Sequence, residues 1–172
     1  MKRIILVYGL IAGTIVGSMF FITMPLYEKG ILTMENGELV GYSTMIVALS
    51  LIFFGIKSYR DNHLEGSITF GKALKVGLLI TLIASLIYAI TWEVISNTMQ
   101  DFVTQMGDKY FEKLRAEGTT QAKIDEYKAM YANPIIRFAM TLIEIVPVGI
   151  LISLLSAGLL RMRGFLPTSS NN

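Results

Sequence analysis

Cysteine is absent from this chain of 172 residues, so disulfides, thiolate metal sites and cysteine nucleophiles are all excluded. Histidine occurs once, as His63, which leaves the plentiful serines without a base to activate them. Charge is scarce as well: 16% of residues are Asp, Glu, Lys or Arg, against about 25% in an average soluble domain. The net charge is only +2, and the bases flank apolar runs instead of forming a patch, so neither composition nor layout fits nucleic-acid binding. No enzymatic chemistry, no metal site and no cofactor are expected from such an inventory.

What the chain has in abundance is apolar length. Hydrophobic residues make up 53% of it. Uncharged stretches run from Ile4 to Tyr27, Leu39 to Ile56 and Val76 to Trp92, and a fourth, Phe138 to Leu160, is broken only by Glu144. A helix rises about 1.5 Å per residue and needs roughly 17–25 such residues to cross the hydrocarbon core. The pattern predicts an all-α integral membrane bundle of four transmembrane helices in a single domain, with spans at about 4–27, 39–56, 73–95 and 135–160. The first run is too long for a signal-peptide core of about 7–15 residues and is read as an uncleaved span.

Lys and Arg favour cytoplasmic flanks, which assigns Lys2, Arg3, Lys57, Arg60, Lys72, Lys75, Arg161 and Arg163 to the inside. Both termini are then cytoplasmic. The acid-rich loop from Glu28 to Glu38 falls outside, with the longer connection at about 96–133. That connection carries Ile95, Met99, Phe102, Val103, Met106, Tyr110 and Leu114 on one helical face, so the third span is expected to continue outward as an amphipathic helix. Glu117-Gly118-Thr119-Thr120 breaks it, and Ile124, Tyr127 and Tyr131 mark a second short helix ending at Asn133-Pro134. The result is an external amphipathic helical hairpin between helices 3 and 4, either resting on the membrane surface or serving as a platform for a ligand or partner.

Gly41-Tyr42-Ser43-Thr44-Met45, Phe54-Gly55-Ile56-Lys57-Ser58-Tyr59-Arg60-Asp61, Gly66-Ser67-Ile68-Thr69-Phe70-Gly71-Lys72-Ala73, Tyr88-Ala89-Ile90-Thr91-Trp92-Glu93 and Glu144-Ile145-Val146-Pro147-Val148-Gly149 follow one another in this order. In these segments the chain resembles, over nearly its whole length, a family of small bacterial membrane proteins catalogued as a domain of unknown function (four-one-nine-nine). The resemblance implies four transmembrane helices in a bacterial cytoplasmic membrane. It transfers no catalytic or binding residue.

Glu144 stands seven residues, about 10 Å of helix rise, inside Arg137. A charge at that depth costs roughly 2.5–3.5 kcal/mol, so Glu144 is expected to face the bundle and be partnered or protonated. Pro147 removes the backbone donor for the carbonyl of Ile143 and adds a kink beside the carboxyl. The third span's stripe of Gly77, Thr81, Ser85, Tyr88 and Trp92 is the expected partner surface, Ser85 and Tyr88 lying nearest. Glu144 is then either polar glue between helices or an ion or proton site. Glu93, beside the boundary ring of Trp92, lies at the depth of Arg137, and the two are expected to form an outer ion pair.

In the first span Gly9, Gly13 and Gly17 recur every four residues, a packing seam for a helix of the same chain or of a second copy. Residues 66–72 match Gly-x-x-x-x-Gly-Lys, but Ala73 stands where magnesium needs Ser or Thr, and no strand precedes the motif. Nucleotide binding is rejected in favour of a cytoplasmic turn capped by Thr69 or Ser67. Lys57, Arg60, Lys72 and Lys75 there are suited to anionic headgroups. The expected role is a noncatalytic membrane component contacting the lipid bilayer and a membrane partner protein or a second copy. The alternative is a small transporter or ion- or proton-conducting protein using Glu144.

Overall fold

A computed structural model describes residues 1–162 and 165–166, without the side chains of Met34 and Glu35. Arg163, assigned above to the inner flank, lies outside the described residues. Seven helices follow one another: α1 (Lys2–Glu28), α2 (Met34–Leu49), α3 (Leu51–His63), α4 (Phe70–Thr98), α5 (Gln100–Ala116), α6 (Gln121–Ala132) and α7 (Pro134–Leu160). No strand occurs among the described residues. Four stretches are long and apolar enough to cross a membrane: α1, residues 36–63 on α2 and α3 together, α4 and α7.

Local chemistry sets the boundaries. Thr33 and Asn36 cap α2 reciprocally, the Thr33 amide donating to Asn36 Oδ1 at 2.6 Å and the Asn36 amide to Thr33 Oγ1 at 3.4 Å. Ser50 is a one-residue interruption between α2 and α3; its hydroxyl donates to the Val47 carbonyl at 2.6 Å. Asn133 ends α6 and caps α7, accepting from the amides of Ile135 and Ile136, with Pro134 at the first helical position, where no amide donor is missed. Gly66 and Gly118 turn the chain with φ of 82° and 85°, a region that suits glycine.

One expectation is corrected at the end of α4. The third span does not run on into the amphipathic segment, because Met99 adopts a non-helical conformation (φ −123°, ψ 53°) and α5 starts afresh. Just before it, Asn97 and Thr98 fold back on the carbonyls of Glu93 and Val94. The cap expected from Thr69 or Ser67 is also different: Thr69 holds the N-cap position of α4 with no side-chain bond to the helix, as Thr120 does at α6.

α4 is the centre of the bundle, with α1 on one side and α7 on the other. Gly9 faces Ile83, Gly13 faces Ile87 and Ala84, and Gly17 faces Thr91, so α1 and α4 advance in step, in parallel. A Cβ at Gly13 would lie 2.8 Å from that of Ile87 and 3.1 Å from the Cα of Ala84, which leaves no room for one. The glycine seam of the first span is therefore closed within the chain. On the other side Gly77 faces Ser153 and Thr81 faces Gly149; each step forward along α4 is a step back along α7. Ile52, Ile56, Ile80, Ala84 and Ile145 fill the space between these seams and are fully buried. In lipid, where tails are as apolar as leucine, such close backbone contact replaces the hydrophobic drive.

Candidate functional site

The antiparallel register of α4 and α7 decides which polar groups meet. Where the C-terminal part of α4 meets the start of α7, Arg137 grips Glu93 with two bonds, Nε to Oε1 at 2.9 Å and Nη2 to Oε2 at 2.7 Å, and its Nη1 donates to the Tyr131 carbonyl at 3.0 Å. The side chains are only 12% and 20% exposed, and a bidentate pair so shielded outweighs an ordinary surface ion pair. A double-mutant cycle with Glu93→Ala and Arg137→Ala, read by unfolding in detergent, is expected to give a coupling of about 1.5 kcal/mol. Strict additivity would show the clamp to be ornamental.

Further in, the Tyr88 hydroxyl donates to Glu144 Oε2 at 3.3 Å, and the Tyr88 ring stacks on Phe20 of α1 with centroids 5.0 Å apart. Phe20 also lies 5.1 Å from the ring of Trp92. Glu144 is not in the core as expected: the residue is exposed on the flank of α7, and only its bond to the buried Tyr88 ties it to the bundle. Its neighbour Ile145 takes the inward position, fully buried, and successive helix positions point about 100° apart, so only one of the two can face α4. Ser85 does not reach Glu144 either: it is fully buried and its hydroxyl has no partner. By the register it lies level with Ile145. Pro147 is exposed beside Glu144.

Two other polar features escaped the sequence reading. Deeper in the α4–α7 seam the hydroxyls of Thr81 and Ser153 lie 3.2 Å apart, and Thr81 also donates to the Gly77 carbonyl at 3.0 Å. Each hydroxyl faces the glycine-sized gap of the other helix, a small-residue signal present in the sequence once the register is known. At the opposite end Arg60 is 2% exposed. It donates through Nε to Asp61 at 2.7 Å, and through Nη1 and Nη2 to the carbonyls of Phe165 and Leu166 at 2.9 and 2.5 Å. Lys57 joins Asp61 at 2.6 Å. Arg60 is thus a clamp on the segment after α7, not a free base for headgroups. His63 is exposed, its ring 5.4 Å from that of Tyr59. No cluster of three metal-ligating side chains occurs among the described residues.

α5 and α6 lean on each other through Tyr110 and Tyr131, 6.5 Å between centroids, and through Lys128, which sits 5.2 Å over the Phe111 ring. Lys113 ties α5 to Glu38 of α2 at 2.9 Å. Burial pushes the Tyr110 and Tyr131 phenols above their ordinary value, so both stay protonated at neutral pH.

The family described as "Protein of unknown function (DUF4199)" matches residues 7–162. The chain belongs to that family. For this DUF4199 member the match takes in the first apolar stretch from Val7 onward, the other three whole, both seams, the Glu93–Arg137 clamp and Glu144. No curated protein and no solved structure matches it.

Proposed function

We infer that this DUF4199 protein is a noncatalytic, multi-pass component of a bacterial cytoplasmic membrane that acts by contact with a partner in the bilayer. The observation that carries this reading is the direction of its intramembrane acid. Glu144 lies on the exposed flank of α7, held to the bundle only through the Tyr88 hydroxyl, while the space behind it is closed by Ile145, Ala84 and the two glycine-lined seams. A carboxyl that served a passage through the chain would line its interior; one on the outer flank is offered to a neighbour.

The orientation rests on the short, base-dense segments flanking the spans and not on the total, which is eight bases at one end against seven at the other. Four crossings bring Lys2, Arg3, the α3–α4 turn with Lys57, Lys72 and Lys75, and Arg161 to one end, which is assigned to the cytoplasm together with both termini. α5 and α6 then form a hairpin on the outer surface. On α5 the half-buried positions Phe102, Val103, Met106, Tyr110 and Leu114 share one face, as suits a helix lying at the headgroup level.

Purified protein in sealed vesicles, under an imposed proton or potassium gradient, is expected to show no flux above protein-free vesicles. Flux that Glu144→Gln abolishes would replace this reading with transport.

A further inference from the structure

Glu144 belongs to a stripe on α7 that, apart from the Tyr88 hydroxyl on Glu144, nothing in the bundle covers. Glu144, Pro147, Leu151, Leu155 and Gly158 succeed one another at steps of three and four residues and share one face. Leu151 and Leu155 are 57% and 58% exposed, and a Cβ at Gly158 would meet nothing within 4 Å. Leucines facing outward are ordinary in lipid. The polar end of the stripe is not.

That end carries hydrogen-bond acceptors without donors. The Glu144 carboxylate has one partner, the Tyr88 hydroxyl on Oε2, which leaves most of its lone pairs open. Pro147 has no amide hydrogen, so the carbonyl of Ile143 lacks the donor that an α-helix supplies four residues on. Ile143 is 70% exposed and Pro147 is exposed as well, so the gap between this carbonyl and the ring opens on the flank that carries Glu144. Acceptors left unmatched in hydrocarbon are costly, and whatever covers them brings donors.

The bilayer tails offer none. Within the chain, the nearest base along α7 is Arg137, already held by Glu93 and the Tyr131 carbonyl. The other bases sit at helix ends or in α5 and α6, and no Lys or Arg lies at the depth of Glu144 in any of the four spans. A second copy would therefore bring hydroxyls, another carboxyl and another bare carbonyl to that depth, but no base. Charge complementarity selects a different molecule.

We propose that the Glu144 stripe of α7 is the docking seam for a transmembrane helix of another protein, one that carries a lysine or arginine about 10 Å inside the Glu93–Arg137 level. The basic side chain bonds Glu144 and the Ile143 carbonyl together, and Gly158 lets the helix backbones approach at the far end of the stripe. This rests on the reading of the chain as a contact component, and it specifies the partner's chemistry.

The test uses the full chain in phosphatidylcholine vesicles with a fluorescently labelled, leucine-rich model transmembrane helix carrying one lysine at that depth, compared with the same helix bearing leucine there. Energy transfer is expected to show about tenfold tighter association with the lysine helix, equivalent to about 1.4 kcal/mol. Glu144→Leu, which places an apolar side chain in lipid and leaves both seams intact, is expected to erase that preference, and Gly158→Leu to weaken association with either helix. Equal association of the two helices, or a lysine preference that survives Glu144→Leu, overturns the proposal. Glu144-dependent self-association without added helix also overturns it, in favour of a second copy. Ion flux through vesicles of the protein alone bears only on the noncatalytic reading, so the two fail separately.

Discussion

Gly13→Leu is expected to destabilise the bundle by about 3 kcal/mol, the upper part of the range for overpacking a tight interior. The obstacle at this position is partly backbone: the first added carbon already meets Ile87 Cβ at 2.8 Å and Ala84 Cα at 3.1 Å. A flexible side chain can swing aside, but Ala84 cannot, so α1 must move off α4 as a unit. Moving it also opens the contacts of Gly9 with Ile83 and of Gly17 with Thr91, which share the same parallel register. The measurement is unfolding in mixed micelles or thermal unfolding in mild detergent. Gly41→Leu is the control, since a side chain at Gly41 on α2 meets nothing within 4 Å, and a change within about 0.5 kcal/mol is expected there. Equal effects of the two substitutions would sink the seam as the element that holds α1.

Arg60→Ala is expected to cost a similar amount, about 3 kcal/mol, for a different reason. The guanidinium links α3 to the segment that follows α7 through three part-buried bonds, and Arg60 itself is almost wholly shut away from water. Removing it strips the carbonyls of Phe165 and Leu166 of their charged donors and detaches the Phe165 ring, which packs edge-on against Phe53 at 6.4 Å. Faster hydrogen exchange and earlier proteolysis near residue 165 are expected before any loss of helix. Arg60→Lys is expected not to restore protection, because an ammonium group is a point charge and cannot span Asp61 and two successive carbonyls. Protection restored by lysine would show that charge alone, not the planar fork, holds the segment.

Much of this was readable in advance wherever a one-dimensional rule is enough. The depth of Glu93 and Arg137 follows from helix rise, and two complementary charges at one level on neighbouring antiparallel helices have few other places to go. The spacing of Gly9, Gly13 and Gly17 announces a seam because the helical repeat puts them on one face. Rotation about the helix axis is another matter. Glu144 and Ile145 differ by one position, and the sequence offers reasons to turn either inward: a carboxyl avoids lipid, an isoleucine fills a core. Only the register with α4 settles it, because Gly149 against Thr81 and Gly77 against Ser153 leave α7 a single rotation that closes the seam. Arg60 was read as a base for anionic headgroups for the same kind of reason. A base beside an apolar run looks free to reach them until a segment more than a hundred residues away folds over it.

By itself the sequence determined the number of long apolar helices, their fitness to cross a membrane and the level of each polar group along its helix, since length, hydropathy and rise along an axis are local quantities. The tertiary structure alone decided partner and direction: which helix fills each glycine gap, that Ser85 is buried unpaired while Tyr88 holds Glu144, and that the acid faces out. Those depend on how helices rotate and slide against one another. In lipid that choice is made by steric fit between small residues distant in the chain, because burial from water does not favour one helix face over another.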